Sequence, residues 1–364
     1  MVRKLYADLL WRRLRRGDVS FPLRALRGLW AAWRGEARPL LATLIATYRC
    51  DLACGMCDLP SRGDRGRELD TGGLRGVLDA FRDLGVLGVG VTGGEPMLRP
   101  DLHDLLRQGS GCGMLMHLNT NGSLVERETG RRLADDGVAS INISLDGPDA
   151  ATHDRLRGRK GSYERVVRAV GRLCALPHRP YRVALTCALG AGNADDAWRL
   201  LERARDLGVD RVGFLPVHDF PANRVARLPG RERGAQGMPS RWSALADDPL
   251  VDNSRAYLDL FGPAFAGARN PVPCAAPRTS IVVDCYGEVF PCVPLNAARE
   301  PVGRGEIRDL WRSETYRRVR ERLAGCRACF WNCHTEMNLA LTRVNANGRR
   351  DVAAGALPAG SGSR

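Results

Sequence analysis

Six short apolar runs alternate with helical patterns between residues 41 and 217, and this alternation constrains the fold more than any other feature. The runs are Leu41–Thr47, Val86–Thr92, Met114–Asn119, Ser140–Leu145, Tyr181–Leu189 and Arg211–Val217. Strands that alternate with helices are typical of βαβ units, and nearly continuous apolar runs fit strands buried on both faces. The sequence therefore predicts an α/β fold with a parallel sheet, either a partial barrel or an open doubly wound sheet. Active-site residues are expected at the carboxyl ends of the strands.

Three cysteines, Cys50, Cys54 and Cys57, directly follow the first apolar run. Three thiolates on one short loop can hold three irons of a 4Fe–4S cluster and leave the fourth iron open to a chelating small molecule. A zinc knuckle would need a fourth Cys or His close by, and none occurs between Asp58 and His103. The cysteine motif alone leaves both kinds of metal site open.

Polar segments close the next three apolar runs, at Thr92–Pro96, Asn119–Gly122 and Ser144–Gly147. Paired glycines in the first segment allow the backbone to approach a ligand closely, and Glu95 can accept hydrogen bonds from an ammonium group. Each segment alone would fit an ordinary turn. Because three of them end successive strands, the sequence predicts one shared pocket.

Together these motifs resemble the radical S-adenosylmethionine (SAM) superfamily, in the branch with a C-terminal SPASM or twitch domain. The resemblance spans residues 41 to 335, and it includes His153-Asp154 followed by Arg157-Gly158. It implies a partial (β/α)6 TIM-like barrel in which SAM chelates the unique iron of the 4Fe–4S cluster. Residues near SAM would be Gly93, Gly94, Glu95 and Pro96 at its amino group, Ser144 and Arg157 at its ribose or carboxylate, and Asn119 elsewhere in the pocket.

The resemblance also implies an enzyme. Reductive cleavage of SAM would give methionine and a 5′-deoxyadenosyl radical, which abstracts hydrogen from an unactivated C–H bond. Cys50, Cys54 and Cys57 would hold the catalytic cluster, and an electron donor such as flavodoxin or ferredoxin is an expected partner. A non-catalytic iron–sulfur scaffold is a weaker alternative, because it would require loss of pocket motifs that are present.

Six further cysteines lie between residues 274 and 333. By the same resemblance, the preferred ligands of an auxiliary 4Fe–4S cluster are Cys274, Cys292, Cys326 and Cys329, with Cys333 next. Cys285 lies in an apolar hairpin pattern, where a buried strand residue is as good an interpretation as a ligand. His334 could also ligate, although a surface position is expected for it. No cysteine follows Cys333, so one auxiliary cluster is favoured over two, with a four-thiolate zinc site as the alternative.

The first forty residues form a basic arm with ten Arg or Lys and three acidic residues, which supplies half of the net charge of +14. Leu23, Leu26, Trp30 and Trp33 recur at helical spacing. This spacing predicts an amphipathic helix packed on the main domain, and contact with a membrane surface is the less favoured alternative. No feature indicates a specific nucleic-acid partner.

The sequence predicts five segments: the arm at 1–40, the barrel at 41–218, a bridge at 219–270, an auxiliary cluster domain at 271–345 and a disordered tail at 346–364. No stretch reaches the ~18 uncharged apolar residues of a membrane span. The start of the chain lacks the pattern of an export signal. Clustered cysteines without an export signal fit reducing cytosol, so a cytoplasmic protein is expected.

Two substrate classes remain open. The favoured one is a small molecule such as a sugar, an antibiotic or a lipid precursor, because forty residues are too few for a winged-helix-like peptide-binding module. The alternative is a ribosomally synthesised peptide, altered by epimerisation, crosslinking or oxidation.

Overall fold

The computed structural model describes residues 19–63, 66–190, 192–218, 239–344 and 350–352. Nine strands of these residues form one sheet, in the order β6-β5-β4-β3-β2-β1-β7-β8-β9. They are β1 Leu41–Thr47, β2 Gly88–Gly93, β3 Leu115–Thr120, β4 Ser140–Ser144, β5 Arg182–Leu189, β6 Arg211–Pro216, β7 Ser280–Asp284, β8 Glu288–Phe290 and β9 Gly303–Arg304. The first six are parallel and adjacent in chain order, which confirms the partial barrel.

Helices connect these strands and cover the outside of the sheet. In the barrel they are α1 Ser20–Trp33, α2 Thr71–Leu84, α3 Leu102–Gly111, α4 Thr129–Asp135, α5 Ala150–Arg157, α6 Ser162–Cys174 and α7 Ala197–Asp206. Beyond β6 they are α8 Pro239–Ala244, α9 Arg255–Leu258, α10 Phe261–Phe265, α11 Ala276–Thr279, α12 Val293–Ala297, α13 Ile307–Arg312, α14 Glu314–Arg322 and α15 Asn332–Leu341. No helix in these ranges is long and apolar enough to cross a membrane.

Alternate residues of each barrel strand face opposite ways, and β4 shows the pattern. Ile141 and Ile143 are buried in the apolar core under the helices, whereas Asn142 and Ser144 are half-buried on the inner face. Because successive side chains of a strand point to opposite faces, the polar side chains Asn142 and Ser144 line the barrel interior.

Helix α1 packs across the amino end of the barrel. Its Phe21, Ala25 and Ala32 share an apolar cluster with Leu40 and Leu87, which lie just before β1 and β2. The helix therefore packs on the main domain as expected, but through the opposite face. Leu23, Leu26, Trp30 and Trp33 are exposed, because the small residues of the other face allow the closer approach. Residues 1–18 of the predicted arm lie outside the described residues.

The C-terminal segment continues the barrel sheet. β7 pairs in parallel with β1, from Leu41 opposite Ser280 to Ile45 opposite Asp284, and β8 then turns back antiparallel. The predicted auxiliary segment is thus joined to the barrel by the backbone hydrogen bonds between β7 and β1. A second, small sheet pairs β10 Thr342–Val344 with β11 Arg350–Val352, so a strand occurs within the segment predicted to be a disordered tail.

This continuity predicts that the barrel depends on its C-terminal segment. A chain ending at residue 270 would leave the β7 side of β1 unpaired and expose Ile45 and Tyr48, which pack against Val282 and Phe290. We expect this chain to aggregate or to unfold without a cooperative transition, measured by circular dichroism on heating. A chain ending at residue 352 is the control and should unfold like the full chain. Cooperative unfolding of the shorter chain at the full-length temperature would contradict the prediction.

Candidate active site

Cys50, Cys54 and Cys57 lie on the loop after β1, at the carboxyl end of the sheet. Within the loop, the Cys57 amide donates to the Cys54 carbonyl at 3.1 Å, and the Leu52 amide donates to Cys50 Sγ at 3.5 Å. Burial raises the pKa of Cys50 to about 11, so this thiol stays protonated until a cation such as iron binds. The three thiols occur without a fourth cysteine on the loop, which fits a 4Fe–4S cluster with one open iron.

The Gly93–Pro96 turn holds the backbone just before Cys50. The Gly94 amide donates to the Thr47 carbonyl at 2.8 Å, and the Glu95 amide donates to the Arg49 carbonyl at 2.8 Å. A Cβ at Gly93 would clash with the Thr47 carbonyl and one at Gly94 with the Arg49 carbonyl, and Gly93 has φ +153°. Both glycines are therefore required for the close approach of this turn to the cysteine loop.

The Glu95 side chain is wholly buried and is satisfied by protein donors. Its carboxylate accepts hydrogen bonds from the Met97 amide at 3.0 Å, Thr120 Oγ1 at 2.8 Å and the Asn121 amide at 2.7 Å. Burial raises the pKa of Glu95 to about 7 despite these donors. Glu95 has no exposed surface, and the expected contact of its carboxylate with the SAM ammonium stays a prediction. In the structure, Glu95 ties the ends of β2 and β3 to the cysteine loop.

Asn121, which directly follows β3, reaches the cysteine loop in place of Asn119 within the strand. Asn121 Nδ2 donates to Asp51 Oδ1 at 2.7 Å and lies 4.0 Å from Cys50 Sγ. Asn119 accepts from Asn142 at 2.9 Å and lies on the barrel interior. The sequence pattern does not single out Asn121 or Asp51, although the positions of Asn121 inside a polar segment and of Asp51 beside Cys50 are the signals that could have found them.

Arg157 connects the end of β4 to the cysteine loop. Its guanidinium forms an ion pair with Asp146 at 2.6 Å and donates to Cys54 Sγ at 3.9 Å. Burial lowers the pKa of Arg157, but the charges of Asp146 and Cys54 outweigh burial and raise it above its usual value. A Cβ at Gly158, where φ is +67°, would clash with the Ala53 carbonyl, so the turn after Arg157 also packs on this loop. Ser144 lies nearby, half-buried at the end of β4.

The His153-Asp154 pair builds the turn that carries Arg157. His153 is buried and accepts the Asp146 amide at 3.2 Å, and burial lowers the pKa of His153 to about 3, so the ring stays neutral. Asp154 accepts hydrogen bonds from Ser162 Oγ and the Tyr163 amide, both at 2.8 Å, at the start of α6. Both residues therefore hold the helix that carries Arg157 in place, between the end of β4 and the start of α6.

Five of the six C-terminal cysteines form one neighbourhood. They are Cys274, Cys292, Cys326, Cys329 and Cys333, all half-buried. The Cys274 amide donates to the Cys326 carbonyl at 2.9 Å, and burial followed by the nearby Cys329 raises the pKa of Cys292. Among the described residues, no three Cys, His, Asp or Glu side chains converge around a point suited to a single metal ion.

Cys285 and His334, the two other ligand candidates of the C-terminal segment, pack against strand residues. Cys285 is buried against Tyr48 and Val282, which fits the interpretation as a strand residue. His334 is buried, not on the surface as expected, because α15 packs it against β7, where His334 Nε2 lies 3.4 Å from Ser280 Oγ.

A buried hydroxyl beside the C-terminal thiols fits an iron–sulfur group. Tyr316 is fully buried, and its Oη has no hydrogen-bond partner among the described residues. Burial raises the pKa of Tyr316, and the neighbouring Cys292 raises it further. Buried donors rarely lack an acceptor, and cluster sulfurs accept hydrogen bonds. The five thiols and this donor are therefore suited to an auxiliary cluster.

A buried polar network joins the two cysteine groups. Tyr48 Oη donates to Asp284 at 3.0 Å and accepts from Asn296 Nδ2 at 2.9 Å. Arg62 donates to Asn296 Oδ1 at 2.6 Å and pairs with Asp58. Asp58 follows Cys57, and Asn296 lies on α12 just after Cys292, so the network links the loop of one group to the helix of the other.

Two family models match the chain: the Radical SAM superfamily over residues 44–204, and SPASM, an iron–sulfur cluster-binding domain, over residues 274–334. The chain belongs to the radical SAM superfamily. Its cofactors are thus SAM and a 4Fe–4S cluster, with auxiliary iron–sulfur binding in the SPASM segment.

The similarity of this chain to relatives with assigned activities extends over different lengths of the chain. The AdoMet-dependent heme synthase of Nitratidesulfovibrio vulgaris is 35% identical over 128 residues, which is 35% of each chain, so the match spans little more than a third of that relative. The PqqA peptide cyclase of Xanthomonas euvesicatoria is 29% identical over 265 residues, 70% of this chain and 68% of the relative. The structure of Streptococcus suis SuiB bound to precursor peptide SuiA has a TM-score of 0.60 at 16% identity, over 93% of this chain and 86% of SuiB. That likeness shows the fold alone.

The buried position of Glu95 predicts that it acts on SAM through the cysteine loop. Glu95→Gln would turn an amide NH2 towards backbone donors, so we expect the unfolding free energy to fall by about 1–3 kcal/mol. SAM binding should weaken in parallel. Anaerobic denaturation without SAM measures the unfolding free energy, and anaerobic calorimetry measures the affinity for SAM. Glu126→Gln, the same change at an exposed residue near β3, is the control. Weaker SAM binding with unchanged stability would instead indicate direct contact with the ammonium.

The two cysteine groups predict about eight irons per reconstituted chain, four on each cluster. Replacing Cys50, Cys54 and Cys57 with Ala should leave about half, because the C-terminal cluster keeps its own thiolate ligands. Cys285→Ala is the matched control and should keep all of the iron, measured by metal and sulfide analysis. Loss of all iron in the triple variant, or zinc in the native protein, would contradict two separate clusters.

Proposed function

We propose that this protein is a peptide-modifying radical SAM enzyme, which abstracts hydrogen from a C–H bond of a ribosomally synthesised peptide. The observation that carries the proposal is the extent of the similarity to the PqqA peptide cyclase, which covers 70% of this chain. The heme synthase, whose name indicates a small-molecule product, matches over only 35%. The relatives therefore favour the peptide over the small molecule that the short N-terminal arm suggested.

SAM, held at a 4Fe–4S cluster, would supply the hydrogen-abstracting 5′-deoxyadenosyl radical on reduction. The chain contributes the positions of the groups around it. Cys50, Cys54 and Cys57 would hold the cluster, the Gly93–Pro96 turn fixes their loop, and Arg157 places a positive charge beside Cys54.

The inner face of the barrel supports a polar substrate. Its half-buried residues on β2 to β5 are small or polar: Gly90, Thr92, His117, Asn119, Asn142, Ser144, Ala184, Thr186 and Ala188. A packed barrel would fill such positions with bulky branched residues. Small side chains leave room for a substrate segment, and the amide groups can pair with the N–H and C=O of a peptide backbone.

A turnover experiment tests the proposal. The reconstituted enzyme is treated with a strong reductant in the presence of SAM. Synthetic peptides, encoded by short reading frames beside its gene, are added one at a time. We expect one of them to raise 5′-deoxyadenosine formation by about tenfold or more, because remote binding energy orients the reacting C–H bond. Mass spectrometry should show that the same peptide changes mass.

Cys326→Ala/Cys329→Ala separates the roles of the clusters. This variant should retain the slow cleavage of SAM without substrate, since that step needs only the first cluster, but should not form the peptide product. Cys285→Ala is the matched control and should form it. Stimulation by a sugar or lipid precursor, with none by any peptide, would favour the small-molecule alternative.

A further inference from the structure

Large exposed apolar residues of the described chain are concentrated on one helix. They are Val19, Leu23, Leu26, Leu29, Trp30 and Trp33, on α1 or directly before it. Leu26 is 65% exposed and Trp30 is 57% exposed. Leu, Ile, Phe and Trp side chains elsewhere in the described ranges are buried or half-buried. An exposed patch of this kind marks an interaction surface.

The opposite face holds α1 firmly on the barrel. A Cβ on Gly28 would lie 2.6 Å from Leu40 Cδ2, so the helix backbone lies directly on the start of β1. Arg24 Nη2 donates to the Gly113 carbonyl at 2.6 Å, and Phe21 is fully buried. The apolar stripe therefore cannot turn inward without breaking this packing.

The charge around the stripe indicates what it binds. Residues 1–40 carry ten Arg or Lys against three acidic residues. On α1 itself Arg27 is exposed, and directly after it the Arg34 guanidinium lies 4.7 Å from the Trp30 ring centroid. Leu and Trp side chains bordered by Arg are typical of helices that lie in the headgroup region of anionic bilayers.

We propose that the exposed face of α1 docks this protein on an anionic lipid surface. A second copy fits the face less well, because a two-fold contact through α1 would bring Arg27 and Arg34 of both copies together. Helix α1 lies at the amino ends of the strands and the cysteine loop at their carboxyl ends. Docking would therefore leave the active-site end facing away from the membrane.

Vesicle sedimentation of the reconstituted full chain tests the proposal. We expect binding to phosphatidylglycerol/phosphatidylcholine vesicles that weakens with added salt, and little binding to pure phosphatidylcholine. Leu26→Ser/Trp30→Ser should weaken binding by about tenfold or more, because it removes apolar area that enters the bilayer. Both residues are exposed, so the variant should unfold at the wild-type temperature.

Charge variants provide a matched pair. Arg27→Glu should weaken binding, whereas Arg318→Glu, the same change at an exposed residue of α14, should not. Three results would overturn the proposal: no vesicle binding by the wild type, equal binding by the Leu26/Trp30 variant, or a dimer in solution that this variant dissociates. Loss of binding on deletion of residues 1–18, with no effect of the α1 variants, would also overturn it, since the site would then lie in that segment.

Discussion

The buried carboxylate of Glu95 is the interaction on which the geometry of the active site depends. Its oxygens bind donors at the ends of β2 and β3, while its backbone amide holds the Arg49 carbonyl, next to Cys50. A buried charge is tolerated only when it is well compensated, and here three protein donors supply the compensation. The donors come from neighbouring strands, so the carboxylate fixes the distance between strand ends as well as the turn. Cys50 is thus positioned by a residue that does not contact it.

A buried ion pair between Arg157 and Asp146 positions the other side of the loop. Breaking a buried pair by removing one partner costs about 3–5 kcal/mol, because the remaining charge is left uncompensated. Asp146, just after the carboxyl end of β4, therefore holds Arg157 against Cys54. This ion pair places a positive charge beside the thiols that would hold the cluster. The Tyr48–Asn296–Arg62 network extends the same frame to Cys292. Because these polar groups are buried, a shift of one cysteine group relative to the other would break hydrogen bonds of this network.

The sequence predicts the parts of this arrangement that local pattern encodes. Six parallel strands, the cysteine loop and the paired glycines follow from apolar runs, spacing and the special freedom of Gly. The role of Glu95 does not follow, because residue type gives its chemistry but its burial depends on how closely three strand ends approach. The parallel pairing of β7 with β1 is also hidden, since it joins residues far apart in the chain. Helix α1 shows a further limit: periodicity identifies its apolar stripe, but Ala25 and Gly28 permit a closer approach and are the residues that pack inside.

The two ends of the barrel differ in chemistry, and this difference sets how a substrate can enter. The amino end is covered, in the described part of the chain, by the apolar cluster of α1 with Leu40 and Leu87. The carboxyl end carries the cysteine loop, and the sheet is open between its edge strands β6 and β9. A substrate must therefore approach from the carboxyl end or through the open side. Along either route it meets the amide side chains of Asn119 and Asn142, which are costly to desolvate unless the substrate returns hydrogen bonds. An extended peptide offers a donor and an acceptor at each non-proline residue, whereas an apolar lipid precursor would leave the remaining hydrogen-bonding capacity of these amides, beyond the bond that they share, without a partner.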